Sequence, residues 1–158
     1  MLAGAPNALM VDRTDTGYLL ALASRRWNEI LEHRFAEAGF AEVRASYGAL
    51  LVPLFEEDGL RLGELARRAG LSKQTVTTMS RLLERNGLVT RESDADDARA
   101  TRLFLTGRAR RFEPVVESVL AELDQQVAKI LGTESTTLLK QALADLVELG
   151  ESIGRAAA

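Results

Sequence analysis

Residues 69–90 read AGLSKQTVTTMSRLLERNGLVT. A glycine at position 70 permits a sharp turn, Ser72 is a favourable helix N-cap, and the pair Asn86-Gly87 is a typical helix stop. Between these signals, apolar side chains recur at helical spacing on one side, namely at Val76, Met79, Leu82 and Leu83. The stretch therefore predicts a helix with one buried face, entered through a sharp turn.

The other side of this helix is polar and basic, and no carboxylate occurs from Leu71 to Leu83. Its candidate contact residues are Ser72, Lys73, Gln74, Thr75, Thr77, Thr78 and Arg81. Glutamine can bond two positions on adenine, threonine offers a hydroxyl and a methyl group, and lysine and arginine neutralise phosphates. We interpret this side as a surface for the DNA major groove. The alternative is a solvated helix face that binds nothing.

Charge is unevenly distributed along the chain, whose formal net charge is -3. From Arg61 to Arg111 there are twelve basic and six acidic residues, so this segment carries +6 and the remainder -9. A basic middle between acidic flanks favours an anionic partner for the middle segment. A solvated charged surface remains the open alternative.

The flanking sequence predicts five further helices and one β-hairpin. The helices are expected at about 15–38, 42–56, 62–69, 106–131 and 133–153, and the strands at 88–91 and 101–105. Pro53 should bend or fray the second helix, and Pro114 suggests a bend or a later start in the fifth. Thr106 is the expected cap of the fifth helix, and Thr133 or Ser135 that of the sixth. The predicted fold is mainly α with a small β-hairpin wing, an α+β winged helix-turn-helix of six helices.

The hairpin loop reads ESDADDARA over residues 92–100. Arg99 is the candidate for insertion into a minor groove, where arginine is favoured by the negative potential. Asp97 could orient that guanidinium through a bidentate pair, although a local turn pair without a DNA role is the alternative. Four acidic residues in this loop would repel phosphates unless they turn away or pair. Arg91, on the first strand, completes the candidate DNA contacts.

From about Phe40 to Phe112 the chain resembles the multiple-antibiotic-resistance regulator (MarR) family of bacterial transcription factors. The resemblance rests on GELARRAGLSKQTVTTMSRLLERNGLVTR, on DADDARA with its Asp97-x-Arg99 pair, and on LFLT. It implies an obligate homodimer whose two winged helices bind a pseudo-palindromic operator in double-stranded DNA. Residues 72–81 then correspond to the recognition helix and residues 97–99 to the wing.

The sequence also departs from this family. Members often carry arginine where Thr78 and Ala98 stand, and glycine where Ala109 stands. The recognition-helix and wing contacts are therefore expected to be fewer than in typical members, and the operator sequence does not carry over. We expect a repressor, and a winged helix used for protein contacts alone is the alternative function.

The expected organisation is a flexible N-terminal arm at 1–15, a dimerisation helix at 16–39, a winged helix-turn-helix DNA-binding domain at 40–106 and C-terminal dimerisation helices at 107–158. The fifth helix, at about 25 residues and roughly 37 Å, is too long to bury its apolar stripe against a small winged helix. The N- and C-terminal helices can instead form a bundle between two chains. A bundle within one chain is the alternative.

Many relatives release DNA when a small aromatic or anionic effector binds between the dimerisation helices and the winged helix. By that resemblance, the candidate ligand residues are Trp27, His33, Arg34, Arg44 and Tyr47. Each has a simpler interpretation. Trp27 fits a core position, His33 an exposed one, and Tyr47 could pack with its hydroxyl at the surface.

One histidine and no cysteine leave no catalytic triad, thiol nucleophile or Cys-based zinc site. We therefore expect no enzyme activity, no metal site and no cofactor. No apolar run approaches the roughly 20 residues of a membrane span, and the N-terminus lacks a signal-peptide pattern. Together with the lack of cysteine, this predicts a cytoplasmic protein with no membrane partner.

Overall fold

The computed structural model describes residues 12–156 and consists of six α-helices and a small sheet. In chain order the elements are α1 (Thr16–Glu37), α2 (Gly48–Glu56), β1 (Leu60–Arg61), α3 (Leu62–Ala69), α4 (Lys73–Arg85), β2 (Val89–Ser93), β3 (Thr101–Leu105), α5 (Gly107–Leu131) and α6 (Thr133–Ala156). The predicted fold class, mainly α with a β-hairpin wing, is confirmed. Residues 1–11, most of the predicted N-terminal arm, lie outside the described residues.

Both ends of α4 are fixed by the local sequence, as predicted. Gly70 ends α3 in the left-handed region, at φ +63°. The Ser72 hydroxyl then accepts a hydrogen bond from the Thr75 amide at 3.1 Å, which satisfies one of the free N–H groups of the first turn. At the other end Gly87 takes φ +69°, again in the left-handed region.

One face of α4 is completely buried. Val76, Ser80 and Leu83 are 0% exposed. Ser80 fits because it is small and because its hydroxyl donates to the Thr77 carbonyl at 2.9 Å, so no unpaired donor is buried. The same core contains Leu50, Leu54, Leu65, Leu88 and Leu103. Packing against this core fixes the rotation of α4 about its own axis.

The wing is part of a three-stranded antiparallel sheet with strand order β1-β3-β2. Leu60 pairs with Leu103 across β1 and β3, and Val89 pairs with Leu105 across β2 and β3. The sequence analysis predicted a two-stranded hairpin and missed β1. Two residues are too few to show strand periodicity, and β1 runs directly into α3.

The second helix starts later than predicted. Residues 45–47 form a single 3₁₀ turn, and α2 begins at Gly48 rather than near Glu42. The Glu32 carboxylate of α1 accepts the Ala45 amide at 3.0 Å, so the 3₁₀ turn before α2 is held against α1. Pro53 lies within α2 and does not end it before Glu56.

Of two other helix starts, that of α5 has its predicted cap and that of α6 does not. The helix α5 begins at Gly107, directly after its predicted cap Thr106, so Pro114 does not delay its start. The helix α6 begins at Thr133 itself, so neither Thr133 nor Ser135 caps it. The Gly132 carbonyl accepts the Thr136 amide at 3.1 Å, which is the first backbone bond of the helix, and the Thr136 hydroxyl at 2.8 Å.

Three aromatic rings connect the long helices to the winged helix. Phe35 of α1 meets Phe112 of α5 edge to face at 4.9 Å, and Phe40 lies 5.1 Å from the same ring. The Arg108 guanidinium stacks over Phe40 at 4.7 Å and also pairs with Glu42. These contacts bury aromatic surface and hold α5 against the segment between α1 and α2.

The long helices also expose apolar surface. Large exposed apolar side chains on α1, α5 and α6 include Leu19, Leu20, Ile30, Ile130, Leu138, Leu139, Leu146, Val147, Leu149 and Ile153. No helix among residues 12–156 is long and apolar enough to cross a membrane.

The turn before β1 gives a stability prediction. Gly59 has φ +74°, and a Cβ there would lie 2.6 Å from the Phe104 ring, whereas Gly87 has φ +69° with open space around it. Gly87→Ala should therefore cost only the left-handed penalty of about 1–2 kcal/mol, and Gly59→Ala should cost more because Phe104 must also move. Urea unfolding of both variants at one protein concentration measures the difference. Equal losses would contradict the close contact.

Candidate nucleic-acid interface

The outer face of α4 lies opposite its buried side. Its centre is formed by Gln74, Thr78, Arg81 and Arg85, all of them exposed. Within residues 12–156, none of these four side chains has a hydrogen-bond or ion-pair partner. Arg85 shares this face through its helical spacing from Arg81 and Thr78, as the sequence indicates.

Three other candidate side chains on α4 are already engaged within the helix. The Ser72 and Thr75 hydroxyls bond each other at 2.8 Å, and the Thr77 hydroxyl donates to the Lys73 carbonyl at 2.8 Å. These groups stabilise the first turns of α4 and are less available to a ligand. The uncharged polar side chains that remain without a partner on the outer face are therefore Gln74 and Thr78.

Ion pairs decide which basic residues of the middle segment can meet a partner. Seven of the twelve pair with carboxylates: Arg61 and Arg102 with Asp94, Arg67 and Arg68 with Glu64, Arg91 with Glu84, Arg108 with Glu42, and Arg110 with Asp58. In the part of the chain that the structure describes, five have no such partner, namely Lys73, Arg81, Arg85, Arg99 and Arg111. Four of these five lie on α4 or on the wing, so the available positive charge is concentrated there.

Two clefts flank α4 and make it a ridge. One cleft, of about 440 Å³, has Lys73 and Thr77 of α4 on one side and Arg99 of the wing on the other. The other, of about 350 Å³, lies between Tyr47 and the α4 residues Thr78 and Met79. A projecting helix with open space on both sides has the shape that enters a DNA groove.

The base of the wing is built around a carboxylate that the sequence analysis missed. The Asp94 side chain is 0% exposed and accepts from Arg61 Nε at 2.8 Å and Arg61 Nη2 at 2.7 Å. Arg102 Nε also donates to it. Hydrogen bonds from Arg61 hold the pKa of Asp94 well below its usual range. The sequence carried no signal for this site, because Arg61 becomes a neighbour only through the unpredicted strand β1.

The predicted pair between the Asp97 carboxylate and the Arg99 guanidinium is absent from the structure. Asp97 Oδ1 instead accepts from the backbone amide of Arg99 at 3.0 Å. This is an aspartate turn, in which a short side chain bonds the backbone two residues ahead. The Arg99 guanidinium is left exposed and without a partner among the described residues.

Arg91 lies in a different environment from the other candidate contacts. It is half-buried on β2 and faces Glu84, with 3.8 Å between Nη1 and Oε2. Glu84 is the sole carboxylate in the sequence of α4. Arg91 thus connects the sheet to α4 and neutralises that carboxylate.

Three of the five candidate ligand residues lie against carboxylates, and His33 and Arg34 share Glu37. Arg34 pairs with Glu122 of α5, Arg44 pairs with Glu32, and exposed His33 lies 3.5 Å from Glu37. Trp27 packs against the core. Tyr47 is buried, and its hydroxyl accepts from Asn86 Nδ2 at 3.0 Å.

Known structures share this fold. The S. aureus MepR–DNA complex superposes with a TM-score of 0.72, at 23% identity over 85% of this chain and 97% of that chain. The PcaV transcriptional regulator from Streptomyces coelicolor, in complex with its natural ligand, superposes with a TM-score of 0.72, at 22% identity over 87% and 96% of the two chains. These superpositions establish the fold, and at identities this low they establish nothing more.

The sequence comparisons identify the family. The HTH-type transcriptional repressor YetL of Bacillus subtilis (strain 168) is 31% identical over 123 residues, which are 69% of this chain and 72% of that protein. The MarR family model matches residues 46–101, which run from the 3₁₀ turn to the start of β3 and include α3, α4 and the wing loop. From the match to this model and the extent of the similarity to YetL, the chain belongs to the MarR family.

Proposed function

We propose that this protein is a sequence-specific DNA-binding transcriptional regulator that acts as a homodimer. The observation that carries the proposal is the outer face of α4, where uncommitted polar groups and unpaired cations coincide. The relative named a transcriptional repressor supports repression as the sign of regulation. A winged helix for protein contacts alone would leave these cations without a partner.

The recognition helix can occupy a major groove. The helix α4 has 13 residues and is about 20 Å long, and the groove is about 12 Å wide. In this proposal Gln74 and Thr78 contact base edges, and Lys73, Arg81 and Arg85 contact phosphates. The wing would deliver Arg99 to the neighbouring minor groove.

A dimer explains the apolar surface of the long helices. We propose residues 16–39 and 107–158 as the dimerisation helices and residues 40–106 as the DNA-binding domain. Burying the exposed leucines of α6 between two chains removes apolar surface from water. A two-fold axis would then place two copies of α4 about 34 Å apart, one turn of DNA.

We also propose that a small-molecule effector releases this regulator from DNA. The PcaV structure holds a natural ligand, which supports a small-molecule effector in this fold. For this chain the candidate residues remain Trp27, His33, Arg34, Arg44 and Tyr47. Their ion pairs with Glu122, Glu32 and Glu37 would have to open to admit an anionic molecule. The site of action would be cytoplasmic, at the DNA.

The unpaired cations predict the salt dependence of DNA binding. Arg85→Ala should reduce the slope of log affinity against log salt by about 2 in a dimer, because each removed phosphate contact changes it by about 0.9. Arg67→Ala is the matched control, since Arg67 is exposed but paired with Glu64, and it should leave the slope unchanged. Fluorescence anisotropy over a salt series measures both. An unchanged slope for Arg85→Ala would exclude Arg85 as a phosphate contact.

The hydroxyl of Thr77 is bonded within the helix and that of Thr78 is free, which predicts that Thr78 is the threonine that distinguishes base pairs. Thr78→Val should alter the preference among duplexes that differ by one base pair, by roughly 1–3 kcal/mol at the affected position. Thr77→Val removes a hydroxyl that is already bonded within the helix and should leave the preference unchanged. Competition binding on any fragment that the wild-type protein retains measures this. A preference shift in Thr77→Val alone would contradict the assignment.

The exposed face of α6 predicts the oligomeric state. The wild-type protein should sediment as a dimer at micromolar concentration, and Leu149→Lys should shift it toward the monomer by placing a charge in the interface. Val52→Lys is the control, because Val52 is similarly exposed on α2, outside the long helices. Analytical ultracentrifugation distinguishes the species. A wild-type monomer near 17 kDa would disprove the dimer.

A further inference from the structure

Asp94 bonds more segments of the wing than any other side chain described above. Besides the three guanidinium hydrogen bonds from Arg61 and Arg102, its Oδ1 accepts the backbone amides of Asp96 and Asp97, each at 3.0 Å. One buried carboxylate thus contacts β1, β3 and the loop beyond β2. Arg102 also donates to the Gly59 carbonyl at 2.7 Å, which fixes the turn before β1.

The loop that carries Arg99 is held in place by these bonds and their neighbours. The Asp94 amide donates to the Ala100 carbonyl at 2.9 Å, and the Ala100 amide donates to the Asp97 carbonyl at 2.8 Å. Asp97 in turn accepts the Arg99 amide at 3.0 Å. The backbone on both sides of Arg99 is therefore bonded, while its guanidinium is free.

We propose that Asp94 is a positioning residue for DNA binding, which fixes the wing so that Arg99 faces Lys73 across the cleft before DNA arrives. This inference rests on the proposed function. A wing that is ordered in the free protein loses less conformational entropy on binding than a mobile one. The same arrangement assigns Arg61 and Arg102 to the support of the wing rather than to phosphate contacts.

A positioning role for Asp94 and a purely electrostatic role predict opposite changes in DNA affinity for one substitution. Asp94→Asn removes a negative charge and frees two guanidinium groups next to the proposed DNA surface. If only charge mattered, this variant would bind DNA more tightly and with a steeper salt dependence. If Asp94 positions Arg99, the variant binds more weakly despite its higher positive charge.

The experiment is a double-mutant cycle on a duplex that the wild-type protein selects from a random pool. Asp94→Asn should lower affinity about tenfold in the wild-type background and less than about twofold in the Arg99→Ala background, because the two residues act through the same contact. Asp96→Asn is the matched control. It removes the same charge from the same loop, but Asp96 is exposed and contributes only its amide to Asp94. It should bind as well as the wild type or better.

Arg61→Ala provides a second variant if Asp94→Asn does not fold, because it keeps the pair between Asp94 and Arg102. It should weaken binding without lowering the salt slope. A slope lowered by about 2 would make Arg61 a phosphate contact and overturn its assignment.

Hydrogen exchange of the free protein tests the wing without DNA. The amides of Asp96, Asp97 and Ala100 should exchange faster in Asp94→Asn than in the wild type. Equal exchange, tighter binding by Asp94→Asn, or the same loss in both backgrounds of the cycle would each overturn the positioning role. A wild-type protein that selects no sequence would overturn the proposed function, and this role with it.

Discussion

The rotation of α4 about its own axis is the constraint on which the rest of the site depends. It is set by the burial of Val76, Ser80 and Leu83 against the core. Because successive side chains on a helix are about 100° apart, a buried face defines the opposite one. Burial of these three side chains is what turns Gln74, Thr78, Arg81 and Arg85 outward. A different inner face would present a different set of side chains to DNA.

Electrostatics then selects among the outward side chains. A count along the sequence gives a basic middle segment but does not show where its charge is available. Five carboxylates neutralise most of these arginines, and the arginines without a carboxylate partner lie mainly on α4 and at Arg99. The five are Glu42, Asp58, Glu64, Glu84 and Asp94. Asp94 is a useful example, because an acidic residue within a proposed DNA-binding loop turns inward and organises the loop. The acidic residues of the loop were expected to repel phosphates, yet one of them, Asp94, holds the wing together.

Features governed by neighbouring residues could be predicted from the sequence. The caps at Ser72 and Thr106, the glycine turn at Gly70 and the apolar stripe of α4 are local, and the structure has them where predicted. Features that depend on distant residues could not. The bond from the Ala45 amide to Glu32 of α1 joins residues 13 apart, and the Asp94–Arg61 pair that holds the wing joins residues 33 apart. Which threonine hydroxyls are free also required coordinates, since spacing alone gave Thr77 and Thr78 the same role.

The most direct test of the central claim is the selection of genomic DNA fragments by the purified protein, followed by sequencing of what is retained. The account predicts an enriched motif made of two inverted half-sites whose centres lie about ten base pairs apart, because a two-fold dimer places one α4 in each of two successive major grooves. Retention of fragments without any common motif would contradict sequence reading by α4. A single half-site without its inverted copy would contradict the dimer.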